Sequence, residues 1–206
     1  MSKTNGFDFI APYYDKLASL VYGNAIKNSQ HVFLDRIPKA SRILVVGGGT
    51  GVFLSELHQY VPDAHVVYVD SSARMLAIAE KAKPPGLQTV FVHCGFEDIP
   101  HGQSFDVVVT YFFLDMFSVV DLQNVITGIT ECMDPDCMWM VADFVRRKWW
   151  HRVLLVGMYA FFMAFAGVSV FSLPDWNRQL ILAGLRKMDS RSFYSGFIES
   201  AVYKRD

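Results

Sequence analysis

The sequence predicts an α/β fold: a mostly parallel sheet with helices on both faces, closed by an antiparallel hairpin. Three observations predict it. From residue 43 onwards, short apolar runs suited to strands buried on both faces alternate with segments of helical period. The first run, Ile43-Leu44-Val45-Val46, feeds a glycine-rich turn and then a helix pattern. The chain closes on two strand-like stretches, 186–194 and 197–203, joined at Ser195-Gly196.

Size and composition agree with a single domain. The chain has 206 residues, 52% apolar and 19% charged, which suits one well-filled core and argues against disorder. A net charge of -1 lacks the basic excess expected of a nucleic-acid binder. Three cysteines, Cys94, Cys132 and Cys137, form no CxxC pair, so neither a disulfide framework nor a metal site is expected. Reduced thiols and the absence of a signal-peptide layout in Met1 to Asp8 lead us to expect a cytoplasmic protein.

In chain order, the spacing of Phe9, Leu17, Leu20, Val21, Ile26, Phe33 and Leu34 predicts a helical cap over 1–40, ending at Pro38. The first strand, 43–46, enters Gly47-Gly48-Gly49-Thr50-Gly51, and Phe53, Leu54 and Leu57 begin a helix that stops near Pro62. A second strand runs from His65 to Val69 and ends at Asp70. Ser71 or Ser72 caps the next helix, through Met75, Leu76 and Ile78, which Lys83-Pro84-Pro85-Gly86 closes. Strands follow at 89–92 and 106–110, then a helix over 122–132, a turn at Asp134-Pro135-Asp136 and a fifth strand over 138–142. With the helix over 175–182 and the hairpin, the chain divides into the cap 1–40, a core 41–145, an apolar insert 146–174 and a closing unit 175–206.

The insert is unusual. Val153 to Leu173 carries no charge, and Arg146, Arg147, Lys148, Trp149, Trp150 and Arg152 precede it. Its length suits a membrane span, and its basic-aromatic flank suits a membrane surface. A span here would strand the closing hairpin on the far side of the bilayer from its own sheet, and Gly157 and Gly167 interrupt the run. We therefore expect a cover over an apolar substrate pocket, with Tyr159, Phe161, Phe162, Phe165 and Phe171 in its wall, and peripheral membrane contact through 149–173 as the alternative. The same segment also suits pairing of two chains, so the oligomeric state stays open.

The glycine spacing discriminates between cofactors. A dinucleotide fingerprint requires Gly-x-Gly-x-x-Gly, and the last position, counted from Gly47, is Val52. The pattern is instead Gly-x-Gly-x-Gly, with an acid, Asp70, at the end of the next strand. Together, Ile43 to Gly51, Val66 to Leu76, Cys94-Gly95-Phe96-Glu97-Asp98-Ile99-Pro100 and Phe105 to Thr110 resemble, in order, the motifs of class I S-adenosylmethionine-dependent methyltransferases. Phe7 to Asp15 is similar to the N-terminal segment of the ubiquinone/menaquinone-biosynthesis type.

The resemblance implies a Rossmann-like class I methyltransferase fold with a seven-stranded sheet, and S-adenosylmethionine as cofactor. It implies that Gly47, Gly48, Gly49 and Gly51 wrap the methionine and ribose parts, and that Asp70 accepts from the ribose hydroxyls. Ser71 and Met75 would flank the adenine, Gly95, Phe96 and Glu97 would line its edge, Thr110 and Tyr111 would meet the methionine end, and Tyr14 would close over the sulfonium. Two departures stand out: Val45 occupies a position usually acidic in the family, and Gly95 replaces the acid that reads the adenine amino group. As general base, Asp115 is the candidate, because it follows the fourth strand at the carboxyl edge; a helix N-cap or surface acid is its other reading. The expected activity is methyl transfer to a small hydrophobic metabolite. A cofactor-binding protein without turnover is the alternative, which Val45 and Gly95 motivate.

Overall fold

The computed structural model describes residues 21–95, 98–99, 102–151, 153–156 and 173–205. These contain strands β1 (Arg42–Val46), β2 (His65–Asp70), β3 (Gln88–His93), β4 (Phe105–Tyr111), β5 (Met133–Phe144), β6 (Leu185–Phe193) and β7 (Ile198–Arg205). The helices are α1 (Ala25–His31), α2 (Val52–Tyr60), α3 (Ala73–Ala82), α4 (Val119–Glu131) and α5 (Trp176–Leu182). One seven-stranded sheet has the order β3-β2-β1-β4-β5-β7-β6; β7 runs antiparallel to β5 and β6, and all other pairs are parallel.

Alternation along the strands divides the core in two. Leu44 and Val46 of β1, Val108 of β4 and Trp139 and Val141 of β5 face one side, under Leu122, Val125, Ile126 and Ile129 of α4 and Trp176 and Leu180 of α5. Ile43 and Val45, Tyr68, Val107 and Val109 face the other, under Phe53, Leu54 and Leu57 of α2 and Leu76 and Ala79 of α3. Both faces of β1 and β4 are thus covered, which is why those strands read as unbroken apolar runs.

The helix ends follow capping chemistry. Ser72 accepts the Met75 N–H at 3.1 Å, Ser118 accepts that of Asp121, and Asp175 accepts that of Arg178. One expectation differs in the structure. Asp134-Pro135-Asp136 is not a turn before the fifth strand but part of β5, where the register against β4 jumps from Phe105–Met133 to Val107–Met138. The extra residues bulge out of the ladder, which removes the need for the N–H that Pro135 lacks. Asp134 joins Asp106 in pairing with Arg42 at this amino-terminal edge.

Candidate active site

The carboxyl ends of β1, β2 and β4 carry the site. β1 runs straight into the glycine turn, and the Gly47 N–H donates to Val69 O at 2.9 Å, tying the turn to the end of β2. Each glycine has a distinct reason to lack a side chain. The Phe113 ring lies where a Cβ on Gly47 would stand, and the Tyr68 phenol where one on Gly48 would. At Gly51, φ is +80° and a Cβ would come within 2.7 Å of the Ala79 backbone, so α2 and α3 could not approach as they do. Around Gly49 nothing lies within 4 Å of the Cβ position, so the turn is open there.

Asp70 is fixed beside that opening. Its Oδ2 accepts the Gly49 N–H and its Oδ1 the Ser72 N–H, each at 2.8 Å. Two backbone donors orient the half-buried carboxylate, whose oxygens have about four acceptor positions in all. The adjacent Ser71 is exposed, its carbonyl 3.1 Å from His93 Nε2, while Met75 is buried one helical turn on. Gly95 lies half-buried with open space at its Cβ position, next to Cys94, a thiol packed against the first core. Tyr14, Phe96, Glu97 and the aromatic residues Tyr159, Phe161, Phe162, Phe165 and Phe171 lie outside the described residues.

The Val45 departure is met on the neighbouring strand. Tyr68, the parallel partner of Val45, donates its hydroxyl to Gly48 O, clamping the turn from β2. Thr110 and Tyr111 are engaged within the protein. Thr110 is fully buried and its hydroxyl accepts from Trp139 Nε1 at 2.9 Å. The Tyr111 hydroxyl donates to Gln30 O at 3.0 Å, its ring edge-on to Phe53, and burial pushes that phenol's pKa up.

Beyond Tyr111 the chain turns sharply through Phe112 (φ +53°) into a short 3-10 turn, Leu114–Met116. Asp115 lies in this turn and is buried, while the N-cap of α4 is Ser118; the surface-acid and cap readings therefore do not describe it. What holds the turn is Asp143, near the end of β5 and one residue past the fifth strand predicted over 138–142, a position to which the sequence pattern assigned no role. Asp143 is fully buried; its Oδ2 accepts the N–H groups of Phe113, Leu114 and Asp115 at 3.2, 2.9 and 3.2 Å, and its Oδ1 accepts that of Phe144 at 2.8 Å. Burial raises both carboxyls, that of Asp115 to about 7, and the proximity of Asp115 raises Asp143 further.

A third apolar cluster adjoins this turn. Phe144 lies 5.3 Å from the Tyr22 ring, 5.1 Å from Phe112 and 5.0 Å from Phe197, and Tyr194 meets Tyr22 edge-on. Leu154, Leu155 and Leu173, from the two ends of the apolar insert, pack on it. Burial, then the charge of Asp115, push the Tyr22 phenol up to about 12. These aromatic residues come from four separate stretches of chain, and no spacing in the sequence connects them.

A family profile described as a methyltransferase domain matches residues 43–136, from β1 into β5. The match to that family covers slightly less than half of the chain, taking in the first through the fourth strand. Over 147 residues, 67% of its length, the chain is 26% identical to a malonyl-[acyl-carrier protein] O-methyltransferase of Bacillus cereus. It spans about half the length of the curated relatives it matches, 51% in that case. In fold, 98% of it superposes on 99% of a chain from the complex of the Haloferax volcanii Trm112 methyltransferase activator with a methyltransferase, at a TM-score of 0.74 and 16% identity. It also resembles CalO1, a methyltransferase in calicheamicin biosynthesis solved with S-adenosylhomocysteine, at a TM-score of 0.68 and 20% identity, over 94% of this chain and 56% of that one. Among the described residues no group of His, Cys, Asp and Glu is placed to hold a metal, and no helix is long and apolar enough to cross a membrane.

Proposed function

We propose that this chain transfers the methyl group of S-adenosylmethionine to an ionisable oxygen of a small hydrophobic molecule. The observation that carries the reading is the juxtaposition at the β4 and β5 ends: the Asp115 turn is bound through Phe113 to the glycine turn and borders the Tyr22, Phe112, Phe144 and Phe197 cluster. That cluster suits an apolar substrate body, and a carboxyl at its rim suits an exchangeable O–H.

The residues fit the cofactor. The open face at Gly49 gives it room, and Asp70, held by two N–H groups, presents a carboxylate to the ribose hydroxyls. Gly47, Gly48 and Gly51 shape the turn, Ser71, Met75 and Gly95 border the adenine side, and Thr110 and Tyr111 support the methionine end from within the fold. Tyr14, Phe96 and Glu97 keep the roles that the family resemblance gives them. Bound there, the cofactor supplies an activated methyl group and leaves as S-adenosylhomocysteine, a neutral thioether. The new bond is oxygen to methyl carbon, the broken one carbon to sulfur, and the substrate's proton passes to Asp115 in its ionised form. The protein's share is alignment and exclusion of water, which positioning alone can make large.

Calorimetric titration with S-adenosylmethionine and S-adenosylhomocysteine tests the cofactor half, with Asp70→Ala as control. Transfer of labelled methyl to a panel of apolar phenols and carboxylic acids tests the rest. Micromolar binding lost in Asp70→Ala, with labelled product, is the expected result. Binding without transfer to any metabolite extract would favour the cofactor-binding protein without turnover, and no binding would overturn the reading.

A further inference from the structure

The turn where β5 runs out into the apolar insert carries a surface that the site above does not use. Its inner side is anchored. His151 is fully buried and takes the Arg147 N–H on Nδ1 at 3.1 Å, Leu155 is buried in the aromatic cluster, and Leu154 packs on it. The Arg147 guanidinium is tied down as well, to Glu199 of β7 and, at 2.9 Å, to the Ser192 hydroxyl of β6. The outer side of the turn is therefore presented to solvent in a set orientation.

That outer side combines two chemistries. Trp149 is 80% exposed, and Val153 and Val156, in the helical residues that follow it, are each 67% exposed. Spacings of four and three residues put such side chains along one side of a helix. Beside Trp149, Arg146 and Lys148 are exposed and take part in none of the ion pairs among the described residues. No acid offsets them in the sequence, because residues 144–174 contain neither Asp nor Glu. With Leu154 and Leu155 on the inner side and valines on the outer, this helical stretch has no polar face to turn towards water.

We propose that this face docks on the surface of an anionic lipid bilayer, with Arg146 and Lys148 at the level of the phosphates and Trp149, Val153 and Val156 in the boundary between headgroups and acyl chains. Charge complementarity selects that occupant. Unpaired cations are drawn to anionic headgroups, and an exposed Trp settles at such an interface. Valine offers a nucleic acid neither a stacking surface nor a hydrogen bond. A second copy of the chain, paired symmetrically, would set the same cations against each other. The docking itself does not need the proposed methyl transfer, but its consequence rests on that reading. Leu154 and Leu155 join the docked face to the Tyr22, Phe112, Phe144 and Phe197 cluster, so the apolar substrate reaches that cluster from the bilayer.

Sedimentation of the purified full chain with vesicles tests the docking, using phosphatidylcholine alone and phosphatidylcholine mixed with phosphatidylglycerol. Binding to the mixed vesicles only, weakened by added salt, is expected, with a blue shift of tryptophan emission as Trp149 leaves water. Arg146→Gln together with Lys148→Gln should lower the affinity about 25-fold, the product of about fivefold for each cation. Val153→Ser together with Val156→Ser should lower it at unchanged salt dependence, and Trp149→Phe should remove most of the emission shift while binding persists. The comparison of the two vesicle types with the wild-type chain decides the matter should any variant fail to fold. Equal binding to both vesicle types, or binding to neither, overturns the proposal. So does a lipid-free dimer, seen by light scattering, that the valine substitutions dissociate, because the face would then belong to a second copy. Titration of the same samples with S-adenosylhomocysteine scores the methyltransferase reading separately: docking without cofactor binding removes the proposed function and leaves the docking, and cofactor binding without docking does the reverse.

Discussion

At the scale of single residues, the site depends on who holds the glycine turn. Tyr68 does so with one hydroxyl on Gly48 O, beside the buried Val45. Replacing Tyr68 by Phe leaves ring packing intact and removes that bond, a net loss of about 1 kcal/mol. We expect denaturant midpoints to fall accordingly and cofactor affinity to weaken about fivefold, read by calorimetry; unchanged affinity would show that the turn holds its shape without the clamp. Asp115 supplies a second prediction, with a defined sign. Its pKa is raised from 3.8 to about 7 on folding, so the folded state binds the proton more tightly than the unfolded one. The stabilisation from this group is complete below pH 4 and is lost as pH rises to about 7. Urea unfolding of the wild type and Asp115→Asn across that range should show the wild type losing stability relative to the variant as pH increases; parallel curves would contradict it.

At the scale of elements, what the sequence made legible was whatever a local period or a local motif encodes. Buried strands, the Ser72 cap, the glycine turn and the acid closing β2 all declare themselves within about thirty residues. The β5 bulge did not, because Asp134-Pro135-Asp136 has turn composition and only the register of β4 shows that it stays in the sheet. Asp143 was invisible for a similar reason: its partners are backbone N–H groups about thirty residues away, to which composition is blind. The aromatic cluster, gathered from residues 22 to 197, likewise has no local signature. The Gly51 position illustrates how one legible residue couples two elements. Alanine there would place a Cβ 2.7 Å from the Ala79 Cα at φ +80°, adding left-handed strain to overpacking between α2 and α3. We expect Gly51→Ala to cost about 2–4 kcal/mol, seen as a lower urea midpoint at unchanged slope. A neutral substitution would mean that α2 can shift away from α3.

At the scale of the whole molecule, the strand order explains why these elements meet. β1 is an interior strand, third in the order, with β2 and β3 on one side and β4, β5, β7 and β6 on the other. The connections from β1 to β2 and from β3 to β4 thus run to opposite sides, leaving a crevice at the carboxyl ends of β1 and β4. The glycine turn and Asp70 border that crevice on one side, and the Asp115 turn, resting on Gly47 through Phe113, borders it on the other. A ligand bound there contacts three strand ends and both halves of the sheet, so its binding energy should add to global stability rather than to one loop. At a cofactor concentration of 100 times the dissociation constant, linkage gives about 2.7 kcal/mol. For a chain of 206 residues this corresponds to a Tm increase of roughly 5–11 °C in a single cooperative transition. Calorimetry with S-adenosylhomocysteine should show that increase, and Asp70→Ala should abolish it while leaving the unliganded transition in place. A transition that splits in two on adding ligand would instead mean that the halves of the sheet on either side of β1 unfold independently, and the crevice would not be the element that joins them.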